Sequence, residues 1–136
     1  MSEIESTRQL WIEKGYEHFA IDGPDNFSIN KLSKLADLSR ASFYHHFGDV
    51  DIFIEELLAM HLTISDIFID QGTELCNRLI PDLYDLLEQN PIPLRFALQL
   101  FQHRSTPGFN FIFVKSFATI SKKFALKLFA DHLNLH

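Results

Sequence analysis

Apolar residues recur along the chain at three- and four-residue spacing, and the strict alternation of a half-buried strand is nearly absent. The pattern predicts helices throughout. A first helix, capped by Ser6 or Thr7, places Ile12, Tyr16, Phe19 and Ala20 on one face. Gly15 inside it costs about 1 kcal/mol against alanine, a cost that a close helix contact would justify. The run Asp22-Gly23-Pro24-Asp25-Asn26 stops that helix. Ser28 then caps a short second helix from Ile29 to Asp37, with Ile29, Leu32, Leu35 and Ala36 as its apolar stripe. After a tight turn at Asp37-Leu38, Ser39 caps a third helix. Phe43 and Phe47 form its buried side, and Arg40, Ala41, Ser42, Tyr44 and His45 its small or polar one. A long fourth helix covers Val50–Leu75 and a fifth Pro81–Gln89. A sixth covers Leu94–His103, after a break at Asn90-Pro91-Ile92-Pro93. The last runs from Asn110 to Leu133. Phe113, Phe117, Ile120, Phe124 and Leu128 make one apolar stripe on it, and Val114, Ala118, Ala125 and Phe129 a second, so both sides need cover.

Composition narrows the setting. With 136 residues, 46% hydrophobic and 22% charged, the chain suits one compact core or a small module joined to a modest second one. No apolar run reaches the roughly 18 residues that span a bilayer, and the polar, acidic start MSEIESTRQL is unlike a secretory signal. Cys76 is the sole cysteine, which rules out a disulfide or a cysteine-based zinc site within one chain. A cytoplasmic protein with no membrane partner is the simplest expectation. The net charge of −6 argues against nucleic acid, yet its distribution does not. Lys31, Lys34 and Arg40, beside His45 and His46, face only Asp37 between residues 28 and 47. A basic window thus sits in an acidic chain.

Two short capped helices joined by a three- to four-residue turn are the signature of a helix-turn-helix, whose second helix enters the major groove. The stretch FSINKLSKLADLSRASFYHHFGDVDIFIEEL carries more than that generic pattern. Ser28, the turn Ala36-Asp37-Leu38-Ser39 and the helix ending Tyr44-His45-His46-Phe47 resemble the DNA-binding domain of the tetracycline-repressor (TetR) family, with Phe19 and Gly23 falling at the end of its first helix. The resemblance covers roughly residues 6–60. It implies an all-α protein: a three-helix helix-turn-helix DNA-binding domain over residues 1–49, then a helical effector-binding and dimerisation domain over 50–136 whose first helix links the two. Two departures stand out. Asp37 replaces the turn glycine, and aspartate tolerates the left-handed backbone required there. Val50, flanked by Asp49 and Asp51, replaces a lysine that in the family contacts a DNA phosphate, so weaker or more salt-sensitive binding is expected.

The resemblance also implies a function: a ligand-responsive repressor that binds a near-palindromic double-stranded DNA operator as a homodimer. By role, Ser28 at the positive end of the second helix would meet a phosphate, with Lys31 and Asn30 reaching the same strand. Ser39 caps the recognition helix. Arg40 is the candidate for reading a guanine edge, although a solvated or phosphate-only role suits it equally. Ala41 and Ser42 are small enough for close approach, and Tyr44 and His45 would bond phosphate or a base edge. Relatives bind small, largely apolar effectors in the second domain. Among the fourteen phenylalanines, Phe96, Phe101, Phe113 and Phe117 are the candidate walls, against the plainer reading that they fill the core.

Relatives usually run longer and pair through two final helices, so the regulatory domain here is expected to be either compact or shortened at its C-terminus. No enzyme signature is present: no nucleophile elbow, P-loop, HExxH or Gly-rich dinucleotide loop. Adjacent His45 and His46 lack a second ligand pair at helical spacing, so neither a metal nor a cofactor is expected. The alternative function is a helical ligand-sensing or protein-interaction module with weak or lost operator binding.

Overall fold

A computed structural model describes residues 2–135, with every side chain among them except those of Leu79, Lys123 and Phe124. The described chain is all-helical. Helix α1 spans Glu3–Asp22, α2 Ile29–Ala36, α3 Arg40–Phe47, α4 Val50–Leu75, α5 Tyr84–Glu88, α6 Pro91–Gln102, α7 Pro107–Ile120 and α8 Leu126–His132. Among the described residues, no helix is long and apolar enough to cross a membrane.

Caps explain most of these boundaries. Helix α1 starts earlier than its first serine-threonine pair suggests. The Ser2 hydroxyl accepts from the Glu5 N–H at 3.2 Å, whereas the Thr7 hydroxyl donates back to the Glu3 carbonyl from inside the helix. Glu3 and Glu5 then sit at the positive end, where they are favoured. Ser28 and Ser39 cap α2 and α3 as expected, accepting from the Lys31 and Ser42 N–H groups. Between these helices Asp37 holds φ 55° and ψ 46°, the left-handed conformation the turn requires, and the Ser33 hydroxyl donates to the Leu38 carbonyl across it. Gly48 (φ 76°) ends α3, and the Asp49 carboxylate caps α4 by accepting from the Ile52 N–H at 2.8 Å. Asp49 therefore has a structural duty of its own.

Beyond α4 the expected boundaries shift. Helix α6 begins at Pro91, because proline fits a first helical turn whose N–H groups need no partner. The expected fifth helix runs from Pro81 into the short α5, and a kink with extended backbone at Ile80 precedes it. The expected long last helix is α7 and α8 joined through a π-type turn over Ser121–Ala125. Phe124, placed on one stripe of that helix, lies outside the described side chains.

One hydrophobic core joins the N-terminal helices to α6. Trp11, Ile12, Tyr16, Phe19, Leu32, Phe43, Phe47, Phe53, Leu57, Phe96 and Leu100 all belong to it. A smaller cluster of Ile69, Cys76, Leu83, Leu86 and Leu128 ties the far end of α4 to α5 and α8. Leu35 corrects the expected stripe of α2. It is 53% exposed, because only Ile29, Leu32 and Ala36 turn fully inward on so short a helix.

Phe53 holds the core's centre, with its ring 5.0 Å from Phe43 and 4.7 Å from Phe47, both edge-on, and 6.0 Å from Phe27. It reaches α1 where a side chain is missing. A Cβ on Gly15 would collide with the Phe53 ring. Helix propensity alone makes Gly15→Ala stabilising by about 1 kcal/mol. The clash reverses that sign. We expect Gly15→Ala to lower the unfolding free energy by about 2 kcal/mol in urea denaturation, since the buried ring has nowhere to retreat. A gain in stability would show that α1 and α4 are not this close.

Candidate functional site

Helix α3 is amphipathic in a way its short sequence only hints at. Phe43 and Phe47 are buried, whereas Arg40, Ala41, Tyr44 and His45 are exposed along one side. Trp11 fixes the orientation. Its ring meets Phe43 edge-on at 5.4 Å, and its indole N–H donates to the Ser42 hydroxyl at 3.2 Å. Ser42 is thus half-buried and ties α3 to α1. This bond was not legible beforehand, because the partners stand far apart in the chain. Arg40 and Lys34 form no ion pair among the described residues and project as uncommitted cations. Arg8 is committed, with one guanidinium nitrogen 2.6 Å from Glu56 and its plane over the Phe47 ring.

The start of α2 is bonded more fully than its sequence suggested. The Ser28 N–H donates to His18 Nε2 at 3.2 Å, and the Ser28 hydroxyl accepts from the Lys31 N–H. A backbone N–H can only donate, so His18 Nε2 accepts and the ring proton sits on Nδ1. That proton is given to the Asp22 carboxylate at 2.7 Å. Asp22 also holds the Lys31 ammonium at 3.0 Å. The Lys31 ammonium first, then His18, keeps the Asp22 carboxyl below its ordinary value. Lys31 is therefore half-spoken for, whereas Asn30 beside it is exposed. Val50 packs partly buried against the core.

Behind this region lies a cavity of about 350 Å³, open to solvent on one side, between α4, α5, α6 and α7. Its wall is almost wholly apolar and includes Phe68, Leu83, Leu98, Phe113 and Phe117. Two of the four expected phenylalanines face this cavity. Phe113 and Phe117 line it, whereas Phe96 and Phe101 do not. Phe96 faces the other way and is 0% exposed, stacked on Tyr16 at 4.3 Å and close to Phe19. Phe101 lies under the Arg104 guanidinium and is 43% exposed.

No family model, no curated protein and no solved structure matches this chain. The site must therefore be read from its own geometry.

The cavity contains one polar feature that sequence reasoning passed over. His61, on α4, is 3% exposed and lines the wall, and its Nδ1 lies 2.9 Å from the Tyr16 hydroxyl on α1. Burial pushes the Tyr16 phenol up, so it keeps its proton, and burial lowers the His61 imidazole to about 4, so it is neutral near pH 7. The signal was present in outline. His61 sits four residues after Leu57 and four before Ser65, on the inward face of α4. Tyr16 and Phe96 thus connect the cavity wall to α1, the helix on which α3 rests. Gln99 adds a second tie, donating to the Ala20 carbonyl at 3.1 Å.

Proposed function

We propose that this chain is a DNA-binding transcriptional regulator of the tetracycline-repressor kind: a cytoplasmic, ligand-responsive repressor that acts as a homodimer on a near-palindromic operator. The observation that carries the reading is the pair α2 and α3. Two capped helices meet through a left-handed turn, and the second presents Arg40, Ala41, Tyr44 and His45 to solvent from a base of Phe43, Phe47 and Trp11. A helix so mounted fits a major groove, with Arg40 at its N-terminal end, the part that meets base edges. The aromatic residue at its other end, Tyr44, is 43% exposed and free to reach a phosphate.

Residues in this interface divide by role. Arg40 reads a base edge; Ala41 allows close approach. Tyr44, His45, Asn30 and Lys31 contact the backbone, Lys31 by exchanging Asp22 for a phosphate. Ser28, Ser39 and Ser42 chiefly hold the two helices in place, through the bonds already described. The effector site is the cavity behind Phe113 and Phe117. Exposed Phe111 and Val114 on α7, Leu126 and Phe129 on α8, and Leu133 just beyond it form the apolar surface through which a second copy would pair. Two recognition helices are needed for two half-sites about one helical turn apart.

The Lys31–Asp22 ion pair, with Asp49 and Asp51 at the start of α4, favours a second reading: a ligand sensor that has lost its operator. Selection from a random-sequence duplex library separates the two. The regulator reading expects enrichment of an inverted repeat at low salt, and about tenfold weaker binding to it by Arg40→Ala. Failure to enrich any sequence would leave the sensor.

A further inference from the structure

We infer that the cavity takes a neutral ligand with an apolar body and one hydrogen-bond-accepting oxygen, held by the Nε2–H of His61. The inference rests on the cavity being the effector site and specifies what that site selects.

The ligand class follows from where the protons are. The Tyr16 hydroxyl is buried and its partner is His61 Nδ1, so the phenol donates and Nδ1 accepts. The proton of the neutral ring therefore sits on Nε2. That atom has no protein partner among the described residues, yet no buried side-chain nitrogen or oxygen among them is left unpaired and sealed off. Nε2 must then open onto the space His61 lines. The wall's other polar side chains already bond the backbone, and the partly buried Asn90 amide donates to the Leu86 carbonyl at 2.7 Å. The Ser65 hydroxyl donates to the His61 carbonyl at 2.8 Å, and the Ser116 hydroxyl to the Phe113 carbonyl at 3.0 Å. A donor is thus presented in an apolar cavity, which selects an acceptor.

Charge decides which acceptor. Among the described residues the wall carries no lysine, arginine, aspartate or glutamate, so none of them offsets the desolvation of a carboxylate. Ketone, ester or ether oxygens meet the requirement. The same bond reaches the DNA-facing helices. A ligand oxygen on Nε2 polarises the imidazole that holds Tyr16, and Tyr16 belongs to α1, the helix whose Trp11 bonds Ser42 of α3.

The test uses three probes of similar size, acetophenone, cumene and benzoate, titrated by calorimetry into the full chain. Acetophenone and cumene should both bind and benzoate should bind far more weakly. Replacing His61→Phe keeps the ring stacked beside Tyr16 and Phe96 while removing the donor, and Tyr16→Phe combined with it leaves no orphaned phenol. In the double variant the preference for ketone over cumene should fall about tenfold, with cumene affinity nearly unchanged. The His61 Nε2–H resonance of the native chain should shift on adding ketone and not on adding cumene. Equal ketone preference in the native and double-variant proteins would overturn the anchor while leaving the cavity reading intact, and so would tighter binding of benzoate. Binding of no probe, including the case where a second copy covers the cavity mouth, would overturn both.

Discussion

Replacing Phe53 by alanine is expected to lower the unfolding free energy by about 3–5 kcal/mol, the largest effect of any single substitution considered. Its ring is fully buried and meets Phe43 and Phe47 of α3 edge-on, Phe27 before α2, and the bare backbone at Gly15 of α1. Removing it takes away the buried ring surface, two favourable aromatic pairs and the filler between four segments. Those segments cannot collapse onto the gap, because each is also fixed elsewhere, α3 by Trp11 and α1 by Phe96. A loss of this size is a large share of the roughly 5–15 kcal/mol that holds a typical domain together. Phe53→Leu retains much of the volume and should cost clearly less. Urea denaturation followed by circular dichroism reads both values. A change below about 1 kcal/mol for the alanine variant would mean that α3 does not rest on α4 in this way.

The second large effect is on acid stability. His61 has an ordinary unfolded value near 6.5, and burial holds it at about 4 in the folded chain. The folded protein therefore refuses a proton that the unfolded chain accepts. Stability is complete above pH 6.5, falls as pH drops from 6.5 towards 4, and levels off below that. The full fall attributable to His61 is about 3 kcal/mol. His46 is shifted down as well, by burial first and then by His45 and Arg8, but it is largely solvated and adds little. The lowered carboxyls of Asp22 and Asp82 act in a different window, their contribution being lost only as pH falls past the ordinary carboxylate range. Combining Tyr16→Phe with His61→Phe should flatten the slope between pH 6.5 and 4 in denaturation series. An unchanged slope would place His61 in water instead of in the wall.

Where the elements were legible in the chain, a capping side chain or a long periodic face made them so. Ser28 and Ser39 each announced a helix, and each bonds the N–H three residues on. The apolar residues Ile52, Phe53, Leu57, Met60, Ile64, Ile67 and Phe68 made α4 readable, although Ile52 and Ile67 turn out exposed. Asp37 could be read as a left-handed turn because few other side chains adopt that backbone. The shortfalls share a cause, which is dependence on partners distant in sequence. Leu35 reads as core on periodicity, but no neighbour reaches that side of α2. Phe96 and Phe113 look alike in sequence, and only the packing of α6 against α1 turns one into the core and leaves the other in the cavity wall. The bonds from Trp11 to Ser42, His18 to Ser28 and Tyr16 to His61 carry no local signature at all. Proline at positions 91 and 93 reads as a helix breaker and instead opens α6, since the same missing N–H suits a first turn.

The claim that α3 enters the DNA groove is tested most directly by nuclear magnetic resonance. Isotope-labelled protein would be titrated at low salt with the duplex enriched from the random library, or with mixed-sequence duplex if none is enriched. The amide signals of Asn30, Arg40, Ala41, Tyr44 and His45 should move first and furthest. Added salt should reverse these shifts, as phosphate contacts require. Unmoved signals on α3, with either no change anywhere or changes confined to α7 and α8, would contradict it.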